Sequence, residues 1–211
     1  MARFYTANEI INRAALECGL TPASDPAESS DESFVQLKGL LDSAGQEMVE
    51  LHPWQGLRKK FAFTTQPGDT GIYPLPDDFS YMLDQTGWNK SARLPVGGPI
   101  SAQAWSYLDG MNFLDQPLYA IFQIEDNKLQ LYPQPPPPDI SIAFQYQSRN
   151  WVKAQNTEIP DDKISNGSDL VMLEPIMMIK MLKVMFLSAK GFNTQDAKAE
   201  LQAMFDSRTG K

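Results

Sequence analysis

Cysteine and histidine are nearly missing from this chain: its 211 residues hold one of each, Cys18 and His52. A single cysteine cannot close an intramolecular disulfide, so no oxidised framework is implied. One His and one Cys also exclude His-rich zinc sites and CxxC pairs. Positive charge is scarce as well, with 18 Lys and Arg against 26 Asp and Glu and a net charge of −8. That balance argues against a protein whose main work is gripping phosphate backbones, because such binding depends on Lys and Arg releasing counterions. It argues equally against docking on anionic lipid. No long uncharged apolar run occurs. The greasiest stretch, Leu170 to Leu187, is interrupted by Glu174, Lys180 and Lys183 and reads as a buried helix, not a membrane span. The opening MARFYTANEI lacks the apolar core of a secretion signal, which points to a cytoplasm-like compartment or a particle assembled in one. Phosphate-binding glycine loops of the GxxxxGK[ST] or GxGxxG type are missing too.

What is present is ordinary globular material, 42% apolar and 21% charged. Thr6-Ala-Asn-Glu9 fits a capping box. Ile10, Ile11, Ala14, Ala15 and Cys18 follow at helical spacing, with Gly19 as a left-handed stop, so a first helix is expected over Thr6 to Cys18. Asp25, Pro26 and Glu28 announce a second helix. Its apolar residues Phe34, Leu37, Leu41, Ala44, Met48 and Leu51 step by three and four, and Pro53 ends it. So narrow a stripe requires a helical neighbour, in this chain or in another.

From Leu57 the period changes. Phe61 and Phe63 alternate with polar residues, and Pro67-Gly-Asp marks a turn. Leu118 to Ile124 and Leu129 to Tyr132 read as a hairpin around Glu125-Asp-Asn-Lys128. Pro135 to Pro138 reads as a stiff surface connector, and Ile140 to Tyr146 as an alternating strand. A short helical turn is expected near Ala102 to Leu108. Helical spacing returns with Leu173, Ile176, Ile179, Leu182 and Phe186, capped by Ser168 or Asp169 and with Pro175 either a kink or the first turn. A last helix starts near Thr194, stapled by Phe192 and carrying Ala197, Leu201, Met204 and Phe205, before a frayed tail. The fold class is therefore α+β: a helical bundle from residues 1–56 and 161–211, with an antiparallel β-rich subdomain, 57–160, inserted between.

Catalytic constellations do not emerge, and an enzyme, a metal or a cofactor is not expected. His52 sits at a helix end, where a histidine meets the dipole favourably. The carboxylate pairs Asp77-Asp78, Glu125-Asp126 and Asp161-Asp162 sit in turns, where Asp serves the backbone. The aromatics Trp54, Trp88, Trp105 and Trp151 lie in or beside the β-rich part. Core packing is their ordinary role, with protein-interface anchoring and carbohydrate stacking as sharper readings. Met172, Met177, Met178, Met181 and Met185 read as core, or secondarily as an adaptable subunit interface. Arg58-Lys59-Lys60 reads as a solvated strand edge.

The order of elements carries a resemblance. A helix pair leads to Trp54 and a strand ending Phe61-Ala-Phe63. Gly71-Ile-Tyr-Pro-Leu-Pro-Asp-Asp-Phe79 follows, then Trp88, Leu94-Pro95, a Trp105-bearing turn, Phe122-Gln-Ile-Glu-Asp-Asn-Lys-Leu-Gln-Leu-Tyr-Pro133, and two helices parted by Gly191. This arrangement resembles the head-to-tail adaptors (tail tubular protein A-like) of short-tailed phages, without the long C-terminal tail that some of them carry. The resemblance implies a structural virion protein in the neck, assembled in the host cytoplasm. It would form a homo-oligomeric ring, typically of twelve copies, between the portal protein and the tail nozzle protein. DNA would pass through its channel without specific binding, and no membrane is involved. Phe34, Leu37, Leu41, Met48, Met204, Phe205 and Arg208 are then candidates for the subunit or portal interface, and Trp88, Trp105 and Tyr132 for the tail-facing one. A carbohydrate-binding or carbohydrate-cleaving tail component, with Asp78 as a catalytic carboxylate, and a neck or baseplate connector of a long-tailed phage are the alternatives.

Overall fold

A computed structural model describes residues 4–111, 120–155 and 160–210. In chain order the first elements are β1 (Tyr5–Thr6), α1 (Ala7–Glu17), α2 (Glu32–Leu51), β2 (Arg58–Thr64), β3 (Ile72–Pro74), β4 (Phe79–Met82), β5 (Trp88–Asn89) and β6 (Leu94–Pro95). Then come α3 (Ala102–Met111), β7 (Ile121–Glu125), β8 (Lys128–Tyr132), β9 (Ser141–Ser148), β10 (Val152–Lys153), β11 (Pro160–Asp161), β12 (Leu170–Val171), α4 (Pro175–Ala189) and α5 (Gln195–Thr209). The fold is α+β. Described residues up to Leu57 and from Arg149 onward form one compact unit, and Arg58–Ser148 forms a second. The segment from Arg149, expected in the β-rich insert, belongs with the helices because β10 pairs with β12, which in turn pairs with β1.

In the helical unit the local signals act as their chemistry dictates. Thr6 accepts a hydrogen bond from the Glu9 amide at 3.2 Å, and the Glu9 carboxylate accepts one from the Thr6 amide at 2.9 Å. At the other end of α1, Gly19 takes φ +78, and the amides of Gly19 and Leu20 bond back to Leu16 and Ala15. The second helix begins later than expected. Pro26–Glu28 is only a 3-10 turn, and Asp31 caps α2 through the Ser33 amide. Asp25 makes no capping bond, its carboxylate accepting from Asn8 instead, and the extended backbone at Ser29 ends the turn before α2 begins. The cap expected at Ser168 or Asp169 is also displaced. Asp169 closes the turn at Ser165 and Asn166, and α4 starts at Pro175 with Glu174 before it.

The core of this unit is built around α4, which packs against α1, α2 and α5. Met177, Met178, Leu182 and Phe186 of α4 meet Ile10, Ile11 and Ala14 of α1 and Leu37, Leu41 and Met48 of α2. Burial of each large side chain in this cluster contributes about 1.5–3 kcal/mol. Trp151 enters the same core, fully buried, with its indole N–H donated to the Asp162 carbonyl at 3.0 Å. The last helix docks by Leu201, Met204 and Phe205, with Phe205 edge-on to His52 and Trp54. It continues to Thr209 with Gly210 as a left-handed cap, so the frayed tail expected from Asp206 is helical over its described length. Phe192 is exposed and staples nothing: its amide, not its ring, closes α4.

In the second unit, β9 is the spine. It pairs along its length with β2 on one side and with β4 and β5 on the other, while β3, β8 and β7 form a smaller sheet. Ile142, Phe144 and Tyr146 on one face of β9 share a core with Phe122, Leu129 and Leu131 of the β7–β8 hairpin. That hairpin turns on Asp126 and Asn127, both at positive φ, as a two-residue type I′ turn demands. The connector at Pro135 to Pro138 is held tightly, since the buried Thr65 hydroxyl donates to the Pro137 carbonyl and accepts from the Ile140 amide. Leu118 and Tyr119, the start of the strand expected over Leu118 to Ile124, lie outside the described residues.

Candidate interaction surface

Most of the expected subunit or portal contacts turn inward. Phe34, Leu37, Leu41 and Met48 are 0–6% exposed and line the core against α4. The neighbour that the narrow stripe requires is in the same chain, so these four cannot meet a partner without opening the fold. Met204 and Phe205 are half-buried and spent on docking α5. Arg208 alone of the seven presents its side chain, with Glu174 3.8 Å away. The large apolar groups that the helical unit does expose are others: Phe4, Leu16, Val35, Leu51, Ile176 and Phe192. Val35 and Leu51 sit on α2 outside the buried stripe or at its end, a distinction only burial makes.

The four indoles divide by role. Trp151 is core, and Trp54 is anchored by its N–H to the Met48 carbonyl at 2.6 Å. Trp105 on α3 packs edge-on to Tyr132, ring centroids 6.0 Å apart, and the Tyr132 hydroxyl reaches the Leu108 carbonyl at 3.4 Å. Tyr107 on the same helix is exposed. Trp88 is 48% exposed on β5. The expected tail-facing trio thus splits into a Trp105–Tyr132 pair and a separate Trp88.

Around Trp88 the open face of the large sheet forms a cleft of about 430 Å³. Register explains it. Lys60 of β2 lies opposite Gln145 of β9, and Trp88 of β5 opposite Ala143, so these side chains share the face away from Phe144. The turn after β5 adds Lys90 and Arg93. That turn is pinned: Asn89 accepts from the Ala92 amide at 3.0 Å, Ser91 bridges Asp139 and Ser141, and Arg93 is at φ +58. The hydroxyl of Thr86, on the cleft wall, is committed to the Leu83 carbonyl and the Gln145 amide. Among the described residues no carboxylate lies within ion-pair distance of Lys60, Lys90 or Arg93. The side-chain contact and charge of Lys60 hold the Lys90 ammonium below the ordinary lysine pKa. Lys60 was legible as a solvated edge residue. Lys90 and Arg93 carry no local signal, because about thirty residues separate them from Lys60 and only the pairing through β9 gathers the three.

The carboxylate pairs serve the fold. Asp78 accepts hydrogen bonds from Lys59 at 2.6 Å, Ser148 at 2.6 Å and Tyr146 at 2.9 Å. Burial alone would raise its pKa, but these donors outweigh burial and hold it below the usual carboxylate value. A carboxylate kept ionised is a poor proton donor at neutral pH. Burial and then Asp78 push the Tyr146 hydroxyl well above the ordinary tyrosine value. Asp161 accepts from the Asp162 amide, and Glu125 from Gln130. No helix among the described residues is long and apolar enough to cross a membrane.

Comparison with known proteins gives one family. The family model described as SU10 adaptor protein matches residues 5–211. The curated proteins contain no match.

Proposed function

The chain belongs to the SU10 adaptor protein family, a family of phage head–tail adaptors, and from that premise we propose that it forms the ring joining the portal to the tail nozzle. It is a structural protein of the phage particle. The observation that carries the proposal is the family match over nearly the whole chain, in the element order that resembles the adaptors of short-tailed phages. Its work is shape and contact, not catalysis.

The physical reading supports this. The helical unit closes its own core and still exposes Leu16, Val35, Leu51, Ile176 and Phe192, large apolar groups suited to neighbours or portal. Arg208 of the same unit is exposed as well. The second unit offers Trp88 and, separately, Trp105 with Tyr132 toward the nozzle. A channel lined by a chain of net charge −8 would let DNA slide without holding it. Twelve copies is the number that the resemblance implies. Co-expression with the portal protein, followed by sedimentation and electron microscopy, tests the proposal. A ring capping the portal is expected, and a chain that sediments apart from portal at every concentration would overturn it.

The carbohydrate reading has less behind it. The one broadly exposed indole stands among three cations, and Asp78 is engaged on both carboxylate oxygens. A neck or baseplate connector of a long-tailed phage remains the second reading, and the position of the chain in the particle separates the two.

A further inference from the structure

We propose that the Trp88 cleft is a receptor for an acidic segment of a partner protein, which places a carboxylate between Lys60 and Lys90. The starting point is an unbalanced charge. Two ammonium groups face each other across β9, Arg93 stands nearby, and no described carboxylate reaches any of them. Four lysines elsewhere in this acidic chain do have a carboxylate partner: Lys38 with Glu28, Lys59 with Asp78, Lys180 with Glu17 and Glu200, and Lys183 with Glu17. Like charges held together are unfavourable, and an anion between them reverses the sign of the interaction. The turn that presents Lys90 and Arg93 is fixed to β9 by Ser91 and by the Lys90 amide, so the backbone that carries these cations is in place before the partner arrives.

The remaining surfaces of the cleft select the kind of anion. The Thr86 hydroxyl and the Asn89 side-chain oxygen are committed, so recognition falls to the cations, to the exposed amide of Gln145 and to the indole of Trp88. An exposed indole covers the methylenes of a Glu side chain or an adjacent apolar residue, as Trp anchors do at protein interfaces. Nucleic acid fits less well. Proteins that bind single strands stack successive bases on several aromatics, and this cleft has a single exposed one. Three cations neutralise few phosphates, while the rest of the chain, at net −8 overall, repels a long polyanion. A short acidic peptide meets the cations without carrying that repulsion along the surface.

The assignment rests on the cleft and not on the ring, so it is tested on the full chain without portal or tail. The protein is titrated with hexaglutamate, with hexaglutamine and with a thymidine hexanucleotide. Binding is followed by the indole N–H NMR signal of Trp88, assigned through Trp88→Phe. Hexaglutamate is expected to shift that signal to saturation and hexaglutamine to leave it unmoved. Lys60→Glu with Lys90→Glu, both exposed positions, is expected to weaken hexaglutamate binding at least tenfold. A signal that hexaglutamate does not move, or binding that survives the double substitution, overturns the proposal. Tighter binding of the nucleotide than of hexaglutamate overturns it in favour of a nucleic-acid site. None of these results alters the case for an adaptor.

Discussion

Alanine at Gly45 should destabilise the protein, while alanine at Gly39, on the same helix, should stabilise it. Glycine in a helix interior is about 1 kcal/mol worse than alanine. At Gly39 an added Cβ meets nothing within 4 Å, so that gain is realised. At Gly45 the same atom would overlap Cε2, Cζ2 and Cη2 of the Trp151 indole. That indole is fully buried and its N–H is donated to Asp162, so it has nowhere to go. Overpacking costs about 1–3 kcal/mol. Pulling the indole from its acceptor leaves a buried donor unsatisfied, about another 1–3 kcal/mol. After the propensity gain is subtracted, a net loss of about 2 kcal/mol or more remains. For a chain of this size about 1 kcal/mol moves the midpoint by about 2–4 °C. Gly45→Ala should therefore lower Tm by about 4–8 °C, and Gly39→Ala should raise it by about 2–4 °C. Calorimetry on both variants checks this, with the near-ultraviolet signal of tryptophan as a second reading. A Gly45→Ala variant as stable as Gly39→Ala would refute the packing of Trp151 on α2, and with it the assignment of the segment from Arg149 to the helical unit.

Two further predictions concern the β-rich unit. Asp78→Asn removes the charge that gathers Lys59, Tyr146 and Ser148 and should cost about 1–3 kcal/mol at neutral pH by urea denaturation. The folded pKa of Asp78 lies below its unfolded value, so its contribution is present above about pH 4 and is lost as pH falls through the folded value. The gap between wild type and Asp78→Asn should therefore narrow in acid, and a gap independent of pH would contradict the network. Gln147 is fully buried on β9, and neither its amide nitrogen nor its amide oxygen has a partner among the described residues. Gln147→Leu should raise stability by about 1 kcal/mol, since it removes an unsatisfied polar group at similar volume. A loss of stability would show that the amide is engaged.

Local chemistry was the legible part of this fold. The Thr6–Glu9 box, Gly19 and the Asp126-Asn127 turn each act within a few residues, so spacing alone reveals them, while Pro175, a kink or a first turn by sequence, proves to be the first helical residue. The start of α2 is not legible at Asp25, which has the composition of a cap but bonds Asn8, seventeen residues upstream, while extended Ser29 ends the turn and Asp31 caps the helix. The interface was harder. An apolar stripe shows that a helix has a partner but not whose, and the partner of Phe34, Leu37, Leu41 and Met48 proved to be α4. Phe192 shows the converse: it was assigned to packing, yet it lies in solvent. The cleft was invisible for a third reason. Lys60, Trp88, Lys90 and Gln145 meet only through strand register, which no local pattern encodes.

The central claim is that this chain is a ring subunit between head and tail. Electron cryomicroscopy of the intact particle, with this chain located in the density, tests it most directly. A closed ring of copies directly beneath the portal, with the tail component on its far side, is the expected result. Density that places the chain in a fibre, in a baseplate periphery or in the capsid shell would contradict it.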